Sequence, residues 1–263
     1  MNTSTFKKLT ALSLLLSSPA ALADWRNDGF LRQEDDPSYN EGYEGADEDS
    51  EEGGQGAGFV LGLRAGYGVP FGNAVGTEDE DDEGAKLSDT VSGVIPLQVD
   101  LGYFINSNLY LGASFQYGLG QFAEDCDGDF DDASCGVTQL RVGLNLAYHF
   151  SPSATLSPWL GVGVGYEHLS LNVSGEAAGT SIDASTTASG FEFVNAQGGV
   201  DFRVSDKISV GPFATLTVAQ YSTSGVKLDV EGDSPLDFDE SEDIENKAIH
   251  AWLYGGVRMQ VRF

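Results

Sequence analysis

The 263-residue chain is short of the groups that most chemistry needs. It has two cysteines, three histidines, and 13 Lys and Arg residues against 41 Asp and Glu, a formal charge of −28. A surface of that sign repels nucleic acid and argues against it as a partner class. No histidine lies near Cys126 or Cys135 in sequence, so a metal or redox pair there has little support. Long hydrophobic runs are also scarce. The apolar stretch from Leu9 to Leu16 is too short to cross a bilayer as a helix.

That stretch has another reading. Lys7 and Lys8 precede it, and Ala21, Leu22 and Ala23 follow it as a small-x-small cleavage site, the pattern of an export signal over residues 1–23. Asp24 is then the expected mature N-terminus, with no cysteine after the cut for lipid attachment. Losing the two lysines leaves 11 basic residues against all 41 acidic ones, a charge of about −30. In an exported chain a disulfide between Cys126 and Cys135, closing a short loop, is the default expectation.

Residues 24–56 are rich in Asp, Glu, Gly and Ser and nearly free of aliphatics. Such a segment cannot bury enough apolar area to offset chain entropy, so a disordered acidic arm is expected. From residue 57 the pattern changes to segments of period two. The last, 248–263, sets Ile249, Ala251, Leu253, Gly255, Val257, Met259 and Val261 against His250, Trp252, Tyr254, Arg258, Gln260 and Arg262. This is a β-strand with an apolar and a polar face. Seven others precede it, at about 57–69, 93–105, 108–121, 137–150, 158–170, 190–204 and 207–221. Their connections alternate long and short, and the carboxylates concentrate in 24–52, 78–89, 124–132 and 229–245.

The chain is thus expected to be all-β, an eight-stranded antiparallel up-and-down transmembrane barrel over 57–263 with a disordered N-terminal arm. Lipid takes the apolar lane and the interior takes the polar one. A soluble sandwich or lipocalin-like barrel would turn the large apolar lane inward, and eight strands enclose too little room for it. The polar lane is rich in Gly, Ala and Ser, as a narrow interior requires. Rings of Tyr103, Tyr148, Phe150, Phe202 and Phe263 at one end and Tyr67, Tyr117 and Tyr166 at the other match interfacial belts.

The terminal Phe263, after Val261, Met259 and Val257, resembles the C-terminal signature strand of bacterial outer-membrane proteins. Residues 57–263 resemble the small outer-membrane β-barrel superfamily that includes OmpA-, OmpX- and OmpW-type proteins. The resemblance implies the outer membrane of a Gram-negative bacterium, recognition of the Phe263 strand by the barrel-assembly machinery, and surroundings of lipid and lipopolysaccharide. A monomer with a structural or surface-interaction role is expected. The runner-up is a narrow OmpW-like transport barrel.

Inward charges need partners at low dielectric. Arg64, Asp100 and Arg258 fall at comparable depth on strands one, two and eight, Arg141 and Glu167 on strands four and five, and Asp201, Arg203 and Arg262 near the periplasmic end. A plugged interior of ion pairs is expected, since eight strands leave room for side chains or one small ligand. Asp125, Asp127, Asp129 and Asp131 have the alternate spacing of calcium ligands, but Phe130 and Gly136 stand where an EF-hand has Gly and Glu. A weak Ca2+ or Mg2+ site, or an ion bridge to lipopolysaccharide, is the most this loop suggests, and no other cofactor is indicated. His168 and Ser170 point outward by parity and resemble the His-x-Ser pair of the lipid A deacylase PagL. There His activates Ser and a Glu orients the His. That family has Asn after the Ser where this chain has Leu171, and parity turns Glu192 outward at the rim. A non-enzymatic protein is the expectation.

Overall fold

A computed structural model of the chain describes residues 56–77, 84–123, 131–177, 180–231 and 236–263. The expected leader 1–23, the expected arm up to residue 55, Cys126, Asp125, Asp127 and Asp129 lie outside them. Eight long strands form the wall: β1 (Gly58–Val75), β3 (Val91–Phe104), β4 (Leu109–Phe122), β5 (Asp131–His149), β6 (Leu156–Ala177), β7 (Thr180–Arg203), β8 (Ile208–Glu231) and β10 (Ile249–Arg262). Between them lie the short β2 (Ala85–Lys86), the one-turn α1 (Leu87–Thr90) and β9 (Leu236–Asp243).

Each wall strand pairs antiparallel with its sequence neighbour, and β10 pairs with both β1 and β8, which closes the ring. Closure satisfies every wall edge, the condition for spanning lipid with strands. The period-two lanes set the faces. Phe59, Leu101, Leu144, Leu160 and Val257 are among the exposed outward residues, Leu101 at 61%. Inward, Arg258 is 2% and Trp252 0% exposed. No water-soluble protein leaves an apolar belt around its whole circumference.

The turns at the end where β1 begins and β10 finishes, expected to be the periplasmic end, are tight. Asn106 closes the β3–β4 turn by accepting the backbone N–H groups of Asn108 and Leu109 at 2.9 and 2.8 Å, an Asx turn. Ser205 accepts Ile208 N–H at 3.2 Å between β7 and β8. On the other side the strands run further than the sequence suggests. β6, β7 and β8 have 22, 24 and 24 residues, about 70–80 Å at ~3.3 Å each, whereas crossing lipid takes about ten. The segment 170–190, expected as a loop, is a paired ribbon from Ser170↔Thr187 to Ala177↔Thr180. The described part of the 229–245 acidic segment is likewise mostly strand, with β9 paired to β8 from Val230↔Leu236 to Thr223↔Asp243. Thr, Val and Ile at alternate positions suit this pleat, and pairing begun in the wall continues outward. Asp131 is already part of β5, opposite Glu176.

Small inward residues make room for large ones. A side chain at Gly102 or Gly112 would occupy the space of the Tyr110 ring, and one at Gly68 that of Tyr254. The interior therefore holds two apolar layers. Val60, Phe104, Tyr110, Ala147, Trp159 and Phe213 pack toward the periplasm. Val91, Val94, Val137, Leu169, Trp252 and Tyr254 pack toward the outside, joined by Leu87 from α1 and Ile244 from the loop before β10. That loop is clipped to the end of β1 by Gly76 N–H to Asn246 O at 2.8 Å.

Candidate functional site

The place where a barrel of this size can do chemistry or pass a solute is its lumen. Between the two apolar layers lies a polar core on inward faces of all eight strands. Arg64 Nε donates to Asp100 Oδ2 at 2.6 Å, and Gln98 Nε2 to Asp100 Oδ1 at 2.7 Å. Arg64 Nη1 crosses the lumen to Gln197 Oε1 at 2.7 Å. Gln197 Nε2 donates to Asn145 Oδ1 at 2.8 Å, and Asn145 Nδ2 to Ser114 Oγ at 2.9 Å. This chain of bonds joins β1, β3, β4, β5 and β7.

A second chain starts at Arg141. Its Nε donates to Glu192 Oε2 at 3.0 Å, with Nη2 on the same oxygen, and its Nη1 to Gln116 Oε1 at 3.0 Å. Gln116 Nε2 donates to Gln139 Oε1 at 3.1 Å, and Gln139 Nε2 to Glu167 Oε1 at 3.2 Å. The same Glu167 oxygen accepts Tyr221 Oη at 2.6 Å and Trp252 Nε1 at 3.0 Å. A third contact, Arg258 to Asp201, is bidentate: Nε to Oδ1 at 2.8 Å and Nη2 to Oδ2. The Arg258 guanidinium also lies 3.5 Å from the Trp159 ring centroid, a cation–π contact of the desolvated kind.

The pairing differs from the sequence-based grouping. Arg64 and Arg258 face each other directly across β1 and β10, so one carboxylate beside them serves only one; Asp100 goes to Arg64, and Arg258 takes Asp201 from the far wall. Arg141 and Glu167 are also directly opposite, on β5 and β6, yet Arg141 reaches Glu192 instead. Glu192 is inward, 2% exposed, and not outward as parity suggests. A β-bulge at Phe193 turns both Phe193 and Val194 to the outside and reverses the lane beyond them. Arg203 and Arg262 stand at the periplasmic rim, donating to the carbonyls of Pro152 and Gly56, and Arg262 lies over Phe104 at 3.9 Å.

The buried charges among the described residues are three arginines, Arg64, Arg141 and Arg258, against four carboxylates, Asp100, Glu167, Glu192 and Asp201. Glu167 is the carboxylate without an arginine of its own. Its Oε2 has no hydrogen-bond partner among the described residues and lies 3.7 Å from His250 Nε2, while the His250 ring stacks on Tyr221 at 4.0 Å. Neither Glu192 nor His250 stands out in the sequence as a partner. The visible signal is the run of large hydrogen-bonding residues, Gln98, Gln116, Asn145 and Gln197, in a lane otherwise full of glycine.

On the outer face His168 Nδ1 bonds Ser189 Oγ of β7 at 2.7 Å, and Ser170 Oγ bonds Asn172 Oδ1 at 3.4 Å. The two members of the expected His-x-Ser pair therefore have separate partners. Glu192, the carboxylate considered beside them, is inside the barrel. Cys135 is on β5, and the described residues include no free cysteine. No group of three or more His, Cys, Asp or Glu among them is arranged to hold a metal ion. Among the described residues the lumen holds a cavity of about 10 Å3 between Arg64, Gln98 and Arg141, and another of about 40 Å3 at the periplasmic mouth.

No curated protein sequence matches the chain. Among solved structures it is similar to neisserial surface protein A, at 13% identity and TM-score 0.46, covering 79% of this chain and 99% of that one. It is similar to a major outer membrane protein of Thermus thermophilus, at 12% identity and TM-score 0.49, with the same coverages. OprG of Pseudomonas aeruginosa matches at 15% identity and TM-score 0.38, over 80% and 99%. The assignment itself rests on a family model that matches residues 79–251, well over half of the chain. With its closed ring of eight strands and apolar outer belt, the chain belongs to the outer membrane protein beta-barrel domain family.

Proposed function

We propose that this outer-membrane protein is a non-conducting, non-enzymatic barrel that serves envelope structure and surface interaction. One observation carries this reading: the lumen is filled from wall to wall by hydrogen-bonded side chains between two apolar layers. Its cavities of about 10 and 40 Å3 have room for about one and three waters, at ~10–15 Å3 each. An OmpW-like transport role needs a continuous path, and Leu87 and Ile244 sit across the outer end of it. A PagL-like deacylase needs a serine held by a histidine that a carboxylate orients, and Glu192 is on the wrong side of the wall.

The working parts are then the extended ends of β6–β8 and strand β9, which carries Asp237, Asp239, Glu240, Glu242 and Asp243. With a surface this acidic, contact with lipopolysaccharide runs through bridging Ca2+ or Mg2+ rather than directly. We further propose that the barrel is monomeric and that the β10 strand ending at Phe263 is the segment offered to the assembly machinery. Liposomes containing the purified protein test the reading. They are expected to stay unswollen in iso-osmotic small sugars and amino acids, and swelling above protein-free liposomes would overturn it.

A further inference from the structure

The periplasmic mouth collects positive charge in a chain that has little of it. Its cavity of about 40 Å3 is lined by Arg203, Lys207 and Arg262, with Ser157 and Gln260 as further donors and Val60 and Phe104 as the apolar side. Asp201 is the one carboxylate in the lining, and Arg258 holds both its oxygens. Asp206, on the turn beside Lys207, does not line the cavity. Arg203 gives one of its five N–H groups to Pro152 O, which leaves the fork largely open. Ser157 is 7% exposed, and its hydroxyl has no hydrogen-bond partner among the described residues. Leaving a buried hydroxyl unmatched is unfavourable, so its place beside a cationic cavity points to an acceptor that enters from outside. The room, about three water positions, is that of a tetrahedral oxyanion.

We propose that this mouth is a phosphate-binding site. Lys207 supplies a mobile ammonium, Arg203 a planar fork suited to two phosphate oxygens, and Ser157 a buried donor at the inner end. Arg262, already bonded to Gly56 O, adds charge at the rim. The aromatic ring of Tyr103, Tyr148, Phe202 and Phe263 puts the mouth at the depth of the inner-leaflet headgroups. The phosphate therefore belongs either to a phospholipid headgroup or to a soluble phosphate.

Calorimetric titration of the full-length barrel in maltoside detergent tests this with two probes, inorganic phosphate and a short-chain phosphatidylglycerol. Saturable binding of one phosphate is expected, weakened at least tenfold in the double variant Arg203→Gln/Lys207→Gln and severalfold in Ser157→Ala. Binding of inorganic phosphate assigns a soluble source, and binding of phosphatidylglycerol alone assigns the headgroup. Arg203 and Lys207 lie at the rim and Ser157 inside it, and the folded fraction of every variant is checked by electrophoresis without heating. Failure of both probes to bind the folded wild type, or equal binding by wild type and double variant, would overturn the proposal.

Discussion

Replacing Arg258 with Met is the sharpest perturbation of the buried polar core. The side chain is 2% exposed, makes two charge-assisted hydrogen bonds to Asp201, and stacks on Trp159. Met matches much of its length and none of its charge. The substitution leaves Asp201, 4% exposed, as a buried carboxylate with His149 Nδ1 at 3.8 Å as its nearest ionisable neighbour. Breaking such a pair costs about 3–5 kcal/mol, whereas replacing both partners with apolar groups of similar size is close to neutral. The prediction is therefore a contrast. Arg258→Met lowers the urea midpoint by roughly 2 M at ~2 kcal/mol per M, and Arg258→Met/Asp201→Leu restores most of it. Reversible urea unfolding in detergent or vesicles, followed by tryptophan fluorescence and by electrophoresis without heating, reads both. An unchanged midpoint in the single variant, or a double variant as unstable as the sum of the two singles, would refute the reasoning.

The charge count inside the lumen makes a second contrast. Glu167→Gln removes the carboxylate that lacks an arginine, so it is expected to change stability by less than ~1 kcal/mol, while Glu192→Gln strands Arg141 and costs about 3 kcal/mol; the same unfolding assay ranks them. Gly112→Val pushes a branched side chain into the Tyr110 ring and is expected to cost about 1–3 kcal/mol by overpacking, seen as a lower melting temperature. On the outer face Val257→Arg puts a charge among the lipid-facing residues of β10, at a cost of about 2–4 kcal/mol near the bilayer midplane. Its folded yield into vesicles should fall, while Lys at the rim position Ile208 should be tolerated.

The wall is legible in the sequence because period two is a local property. Val257 outward and Arg258 inward follow from alternation alone, and so do Trp252, Tyr254 and His250 facing the lumen. What alternation cannot give is the partner across the barrel. A lumen this narrow lets Arg64 reach Gln197, and Arg258 reach Asp201, so strand adjacency is a poor guide to who pairs with whom. The bulge at Phe193 is hidden for a related reason. Phe193 and Val194 are both apolar, and counting back from Val194 assigns Glu192 to lipid. The overlong β6–β8 ribbon is hidden by composition, because Ser, Thr, Gly and Asp between 170 and 190 read as a loop until pairing inherited from the wall is known.

Single-channel recording of the purified protein in planar lipid bilayers tests the proposed sealed lumen most directly. The wild type is expected to be silent at ordinary voltages, and the variant Arg64→Ala/Arg258→Ala, which removes two cross-barrel ties, is expected to show brief openings. A large, stable, ion-selective conductance from the wild type would contradict the account.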